Sequence, residues 1–313
     1  MKFAFLADPL DHFKIYKDTT FAMMAEAARR GHAIYAFQQK DMAFHAGLLT
    51  ANVARVNLTG DPKDWYHAEP ATAMQLTEFD AVIVRKDPPF NMEYIYLTYL
   101  LEVAEKQGAR VVNRPEAIRS HNEKLAIAQF PEFTSPTLVT SDENRIRAFH
   151  REQKDIILKP LDGMGGIGIF RVREDGMNLG SIIETLTENG ERTIMVQRFI
   201  PEISQGDKRI LLIGGQVVPY SLARIPQNGE VRGNLAVGGL GVAQPLSARD
   251  REIGEALAPA LLKRGLLLVG LDVIGDYLTE INVTSPTCFQ EIAQQTGFNV
   301  AGMFVDALET QCQ

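Results

Sequence analysis

The sequence predicts an α/β protein, a parallel-sheet N-terminal unit followed by two smaller α+β lobes. Strands alternate with helices through the first third of the chain, and two strand hairpins follow, near 156–173 and 209–222. At 313 residues the chain is also longer than one hydrophobic core usually serves.

Lys2 to Ala7 is an apolar run that reads as a buried strand, Thr19 to Arg30 as a helix ended by Gly31, and Ala33 to Phe37 as a second strand. This is a βαβ opening. Ala81 to Val84 is a later strand, a helix from about Met92 to Lys106 ends at Gly108, and Arg110 to Val112 is the next strand. Parallel sheets bind ligands beyond the carboxyl ends of their strands, where Arg85 stands. Its guanidinium would either grip a substrate carboxylate with two hydrogen bonds or pair with Asp87. Ser120-His121-Asn122-Glu123 matches the capping box S-x-x-E and predicts a helix from His121 to about Gln129, with Lys124 in its first turn. A lysine at the positive end of a helix dipole is electrostatically misplaced. A nearby anion would relieve that cost; so would plain solvation.

A strand at Thr137 to Thr140 and a helix at Asn144 to Gln153 lead into "DIILKPLDGMGGIGIFRV", in which Gly163, Gly165 and Gly168 have the spacing G-x-G-x-x-G. A dinucleotide fingerprint needs a helix directly after the glycines. Ile169 to Arg173 instead alternates apolar and charged residues, the period of a strand. The segment is therefore a hairpin with a glycine-rich tip, either an ordinary turn or a flap whose N–H groups close over phosphate. Lys159, on the first strand, is a candidate partner for phosphate oxygens. Thr193 to Phe199 is a strand broken by Pro201 at an expected boundary between lobes. Arg209 to Ile213 and Gln216 to Leu222 form the second hairpin across Gly214-Gly215. Ile225 to Gly241, glycine-rich and without regular pattern, is expected to be a mobile lid containing Arg232 and Asn234.

Leu268 to Ile274 and Tyr277 to Val283 read as two strands joined around Gly275-Asp276. Glu280 and Asn282 are two apart and share a face. A two-residue loop would set Asp272 opposite Thr279; a longer loop or a bulge would set it opposite Glu280. We expect the second parity, because three oxygen donors on one face suit Mg²⁺, although a merely wet face would also accept them.

Composition narrows the function. With 45% hydrophobic and 23% charged residues and a net charge of −7, the chain reads as an ordinary globular protein, not a general nucleic-acid binder. Cys288 and Cys312 are too few for a disulfide framework or a zinc cluster, and the six histidines have no metal-ligand spacing. Neither G-x-S-x-G nor the P-loop pattern occurs. No stretch is apolar enough for a membrane span or signal peptide, so a cytoplasmic protein is expected.

Two lysines, a glycine hairpin, a distant acid-acid-amide set and several arginines describe an ATP·Mg²⁺ site between two lobes. This constellation resembles the ATP-grasp superfamily of carboxylate-amine ligases, and within it the bacterial glutathione synthetase family. The likeness covers nearly the whole chain, in "VIVRKDPPF" (82–90), "NEKL" (122–125), "LKPLDGMGG" (158–166), "GDKRILLI" (206–213), "RGNLAVGG" (232–239) and "DVIGDYLTEINVTSPT" (272–287). The resemblance implies an ATP-grasp fold with an N-terminal substrate-binding domain at 1–120, a central lobe at 121–198 and a C-terminal lobe at 199–313.

The same likeness implies that Lys124 and Lys159 contact ATP phosphates and that the loop with Gly163, Gly165, Gly166 and Gly168 covers them. Backbone from Gln197 to Ile200 would receive adenine, and Asp207 would lie near the ribose. Asp272, Glu280 and Asn282 would hold Mg²⁺, or Mn²⁺ in its place. Arg209, Arg224 and Arg232 would be catalytic, the first two facing the transferred phosphoryl group. Arg85, Asn234, Ser285, Pro286 and Thr287 would bind substrate. The implied reaction joins γ-glutamylcysteine to glycine, and the implied assembly is a homo-oligomer, a tetramer. Phe199 and Phe289-Gln290 depart from the family pattern, in which tyrosine and an isoleucine-arginine pair are commoner.

Overall fold

The computed structural model describes residues 1–227, 233, 235 and 238–313. The first sheet begins with β1 (Lys2–Ala7), followed by α1 (Thr19–Arg29) and β2 (Ala33–Phe37). Then come β3 (Met42–His45), β4 (Leu48–Leu58), β5 (Tyr66–Ala68), β6 (Thr72–Gln75), β7 (Ala81–Arg85), α2 (Met92–Lys106), β8 (Val111–Val112) and α3 (Pro115–Arg119). Its order is β3-β4-β2-β1-β7-β8, with β5 and β6 also paired to β4. β1 runs parallel to both β2 and β7, as the βαβ pattern requires. The antiparallel extension at 42–75 is not foreseen, and it makes the sheet mixed.

The apolar run in β1 has a direct cause. Phe3 and Phe5 enter one core with Met23, Met24 and Ile83, whereas Ala4 and Leu6 enter another with Val82, Val84, Leu97 and Leu101. A strand covered on both faces cannot alternate apolar with polar residues.

The central unit contains β9 (Thr137–Thr140), α4 (Glu143–Gln153), β10 (Ile156–Pro160), β11 (Phe170–Val172), α5 (Leu179–Thr187) and β12 (Ile194–Arg198). Its sheet order is β11-β10-β12-β9, all antiparallel. The glycine segment is a hairpin, with Leu158 opposite Phe170, and no helix follows it. Gly165, Gly166 and Gly168 have φ of 62°, 81° and 74°, which favours glycine in this tip.

The last unit contains β13 (Asp207–Ile213), β14 (Gln216–Ile225), β15 (Leu240–Pro245), α6 (Ala248–Lys263), β16 (Leu268–Ile274), β17 (Tyr277–Asn282), α7 (Phe289–Thr296) and α8 (Val300–Cys312). Its sheet order is β15-β14-β13-β16-β17. Ile210 and Leu212 pack toward α6, and Leu211 and Ile213 toward α7 and α8, in a core continuous with Phe3 and Phe5 of the first sheet. Arg30, the residue that caps the C-terminus of α1, reinforces that junction with an ion pair to Asp306 at 2.5 Å and a hydrogen bond to the Gly302 carbonyl at 2.9 Å.

One predicted element is different. His121 to Lys124 is not helical, and Leu125–Gln129 is a single 3₁₀ stretch. The capping box does not form because the Glu123 carboxylate turns to another part of the chain, described below. Arg232 and Asn234 lie outside the described residues, as does much of the expected lid between β14 and β15. No helix among the described residues is long and apolar enough to cross a membrane.

Candidate active site

Two adjoining cavities lie between the central and last sheets. Lys124, Lys159, Gly163, Gly165, Gly166 and Glu280 line one end of the first, while Ile157, Ile169, Phe199, Ile200 and Ile274 give its other end an apolar wall. Gln197 and Asp207 also line it, but Gly168 does not; a Cβ at Gly168 would stand 3.2 Å from the Pro160 ring. Such a cleft, cationic at one end and apolar at the other, suits a nucleotide.

β10 delivers Lys159 to this cleft, 7% exposed, with Nζ 3.4 Å from the Thr279 carbonyl oxygen. Burial pulls its pKa down to about 8, against the pull of Glu280. Lys124 Nζ donates to the Gly163 carbonyl of the glycine loop and lies 3.1 Å from Glu280 Oε1. The cost of placing this lysine here is met by a protein carboxylate. Gln197 sends its side chain to Thr137 Oγ1 at 2.9 Å, leaving the end of β12 to face the cleft through backbone and Ile200.

The Phe199 ring is capped by Arg171, whose guanidinium carbon lies 3.5 Å from the ring centroid. Asp155 holds Arg171 through hydrogen bonds of 3.0 and 2.7 Å, and its carbonyl accepts the Phe199 N–H at 2.9 Å. The phenylalanine is thus a braced wall.

The second cavity is lined by Arg209, Arg224, Asp272, Glu280 and Asn282, and on its far side by Ser285, Pro286 and Thr287. Glu280 and Gly165 belong to both cavities. Asp272 pairs directly with Glu280, and a register shift follows before Val273, so the odd parity predicted for this hairpin is present. Arg209 Nε donates to Asp272 Oδ1 at 2.6 Å, and Arg224 Nη2 lies 2.9 Å from Asp272 Oδ2. Burial opposes charge on Asp272, but these two guanidinium groups outweigh it and hold the carboxyl well below its ordinary range.

The donor set suits a hard cation. Two carboxylates face each other, and the Asn282 amide nitrogen donates to Gly270 O at 3.2 Å, which leaves the amide oxygen as its remaining ligand atom. Among the described residues no group of three or more acidic, histidine or cysteine side chains forms a self-sufficient metal cage. One or two carboxylates completed by phosphate oxygens is how Mg²⁺ is usually held.

Two predicted site residues, Gly168 and Arg85, line neither cavity. Arg85 is 5% exposed, donates from Nε to Thr20 Oγ1 at 3.0 Å and makes no ion pair with Asp87 among the described residues. Asp87 instead accepts a hydrogen bond from Ser285 Oγ. Glu123, missed as a site residue, accepts from Val283 N at 2.8 Å, Thr284 N at 3.1 Å and Thr284 Oγ1 at 2.9 Å. It fixes the segment joining Asn282 to Ser285. No local pattern signals a contact spanning 160 residues.

Sequence comparison agrees with this geometry. Residues 1–119 match the prokaryotic glutathione synthetase N-terminal domain, and residues 123–297 match the prokaryotic glutathione synthetase ATP-grasp domain. The chain belongs to the prokaryotic glutathione synthetase family. It is 66% identical over 309 residues to the glutathione synthetase of Ralstonia nicotianae, covering 99% of this chain and 95% of that one. It is 61% identical over 312 residues to that of Nitrosomonas europaea, covering 99% and 98%. The crystal structure of the D-cycloserine synthetase DcsG matches over 100% of both chains with a TM-score of 0.70 at 14% identity, a likeness of fold. The fold is ATP-grasp, and members of the glutathione synthetase family are ATP-using ligases.

Proposed function

We propose that the protein joins γ-glutamylcysteine to glycine, converting ATP to ADP and phosphate. The observation that carries this reading is Glu280, which lines both cavities and lies 3.1 Å from Lys124. It stands where nucleotide phosphate and acceptor carboxylate would meet.

Lys124 and Lys159 hold the ATP phosphates beneath the Gly163–Gly168 loop, adenine lies against Phe199 and the backbone from Gln197 to Ile200, and Asp207 lies near the ribose. Asp272, Glu280 and Asn282 would hold Mg²⁺, with Mn²⁺ an acceptable substitute, which supplies charge neutralisation at the phosphate oxygens. Arg209 and Arg224 stabilise the phosphoryl group as it moves to the cysteinyl carboxylate of the dipeptide. A carboxylate is a poor electrophile; the acyl phosphate has a good leaving group. The glycine amine then attacks the acyl carbon, and phosphate departs with the electron pair of the C–O bond. No side chain acts as a covalent nucleophile.

Ser285, Pro286 and Thr287 shape the peptide and glycine pockets, held by Asp87 and Glu123. Arg85, whose buried Nη1 has no hydrogen-bond partner among the described residues, would help define those pockets. Arg232 and Asn234 are assigned to catalysis and substrate contact from the family resemblance. A lid over residues 225–241, expected from the sequence, would keep water from the acyl phosphate. We assign working units at 1–120, 121–198 and 199–313, a cytoplasmic location and a homotetramer on the same reading.

The test is ADP release by the purified protein with ATP and Mg²⁺, with and without γ-glutamylcysteine and glycine, the product being weighed by mass spectrometry. Release that needs both acceptors and matches glutathione one for one supports the reading. Nucleotide binding without that turnover rejects it.

A further inference from the structure

One ion pair forms part of the partition between the two cavities. Asp207 lines the nucleotide cleft and Arg224 lines its neighbour, and the two residues face each other across the β13–β14 ladder. Arg224 Nη2 donates to Asp207 Oδ2 at 2.5 Å, and Arg224 Nε donates to the Asp207 carbonyl at 3.2 Å. The same Nη2 lies 2.9 Å from Asp272 Oδ2. Asp207 therefore sets the angle at which Arg224 meets the phosphoryl end of the site. The Gly233 backbone lies directly against this pair: a Cβ there would stand 2.1 Å from the Arg224 carbonyl oxygen and 3.3 Å from Asp207 Cβ.

Asp207 has acceptor capacity left over. Its Oδ1 is buried and has no hydrogen-bond partner among the described residues. A carboxylate oxygen only accepts, and the ATP phosphates also only accept and carry the same sign of charge. The nucleotide groups that satisfy Oδ1 are therefore donors, the ribose hydroxyls or the adenine amino group. With the amino group at the backbone of 197–200, a ribose hydroxyl remains.

Given the nucleotide placement proposed above, we propose that Asp207 is a positioning residue that couples a ribose hydroxyl of bound ATP to the guanidinium of Arg224. A hydroxyl on Oδ1 fixes the plane of the carboxylate, and Oδ2 passes that orientation to Arg224. Without the hydroxyl the carboxylate rotates more freely and the guanidinium follows.

The experiment compares kcat and KM for ATP, 2′-deoxyATP and 3′-deoxyATP in the unsubstituted protein and in Asp207→Asn, at saturating γ-glutamylcysteine and glycine, with ADP affinity measured by calorimetry. The nucleotide lacking the bridging hydroxyl is expected to lower kcat about tenfold in the unsubstituted protein. Asp207→Asn is expected to lower kcat similarly with ATP, to change ADP affinity by no more than a few fold, and to show little further loss with the deoxynucleotide. Independent, multiplying penalties overturn the coupling. So does a change confined to KM. Should Asp207→Asn fail to fold, the deoxynucleotides decide on the unsubstituted protein: a fall in kcat supports the coupling and an effect on KM alone overturns it. Absence of glutathione formation by the unsubstituted protein overturns the ligase reading itself and the coupling with it.

Discussion

Asp272 and Glu280 stand directly opposite each other on β16 and β17, brought into register by an irregularity that begins after Asp272. In an unshifted hairpin their carboxylates would point to opposite faces. The register shift puts two oxygen donors on the face that also carries Asn282.

Replacing either acid by its amide should weaken the dependence on divalent cation while leaving the fold intact. Asp272→Asn and Glu280→Gln are each expected to lower kcat about a hundredfold and to shift the Mg²⁺ titration to higher concentration. Activity titrations check this at a temperature below each variant's thermal midpoint, which Asp272→Asn is expected to lower because it leaves buried Arg209 and Arg224 without their shared charge partner. A Mg²⁺ curve like that of the unsubstituted protein removes these residues from the metal site.

Burial makes Lys159 pH-sensitive. Burial holds its pKa down to about 8, whereas phosphates beside it would raise that pKa. Nucleotide binding above pH 8 should therefore take up a proton, and affinity should fall as pH rises through that range. ADP calorimetry at pH 9 in buffers of different ionisation enthalpy reads the uptake, which Lys159→Met should abolish. The linked stability has the opposite slope. Because the folded pKa lies below the unfolded one, this lysine's contribution rises with pH from about 8 to about 10.5.

Glu123 should matter to turnover without contacting the reacting atoms. Glu123→Ala leaves three donors of Val283 and Thr284 without their acceptor, at a cost of about 1–3 kcal/mol for each buried group left unsatisfied. Expected are a lower melting temperature and a kcat reduced at least about tenfold, whereas Glu123→Gln, which keeps an acceptor oxygen, should recover most of both. Equal losses in the two variants would argue against a hydrogen-bonding role.

Arg171 braces the aromatic wall of the nucleotide cleft through its stack on Phe199. Arg171→Ala is expected to raise KM for ATP about fivefold, the equivalent of about 1 kcal/mol, with kcat nearly constant. Steady-state kinetics separate the two parameters. A selective loss of kcat would place Arg171 in the chemistry instead.

Much of this arrangement was legible in the sequence where local pattern and local structure share a cause. β1 is buried on both faces and reads as an apolar run; the glycine segment is followed by alternation and folds as a hairpin. The parity of Asp272 and Glu280 was legible through chemistry, because two acids in apolar strands need a shared purpose. Glu123 was misread for the complementary reason. S-x-x-E describes a local exchange of hydrogen bonds, but the backbone of residues 283 and 284 offers the carboxylate a better set of donors. Helices α7 and α8 went unassigned because their buried faces are defined by packing in a core shared with the distant first sheet, where Phe289, Phe304 and Leu308 meet Leu211, Ile213 and Phe3. Arg85 was legible as a strand-end arginine, but its hydrogen bond to Thr20 of α1 depends on how that helix packs.

In the proposed reaction the dipeptide carboxylate receives phosphate before glycine attacks. The most direct measurement of that step uses γ-glutamylcysteine with ¹⁸O in the cysteinyl carboxylate, followed by mass analysis of the phosphate released during synthesis. An acyl phosphate intermediate delivers one labelled oxygen to each phosphate formed. Phosphate free of label, released in step with glutathione, would rule out the acyl phosphate.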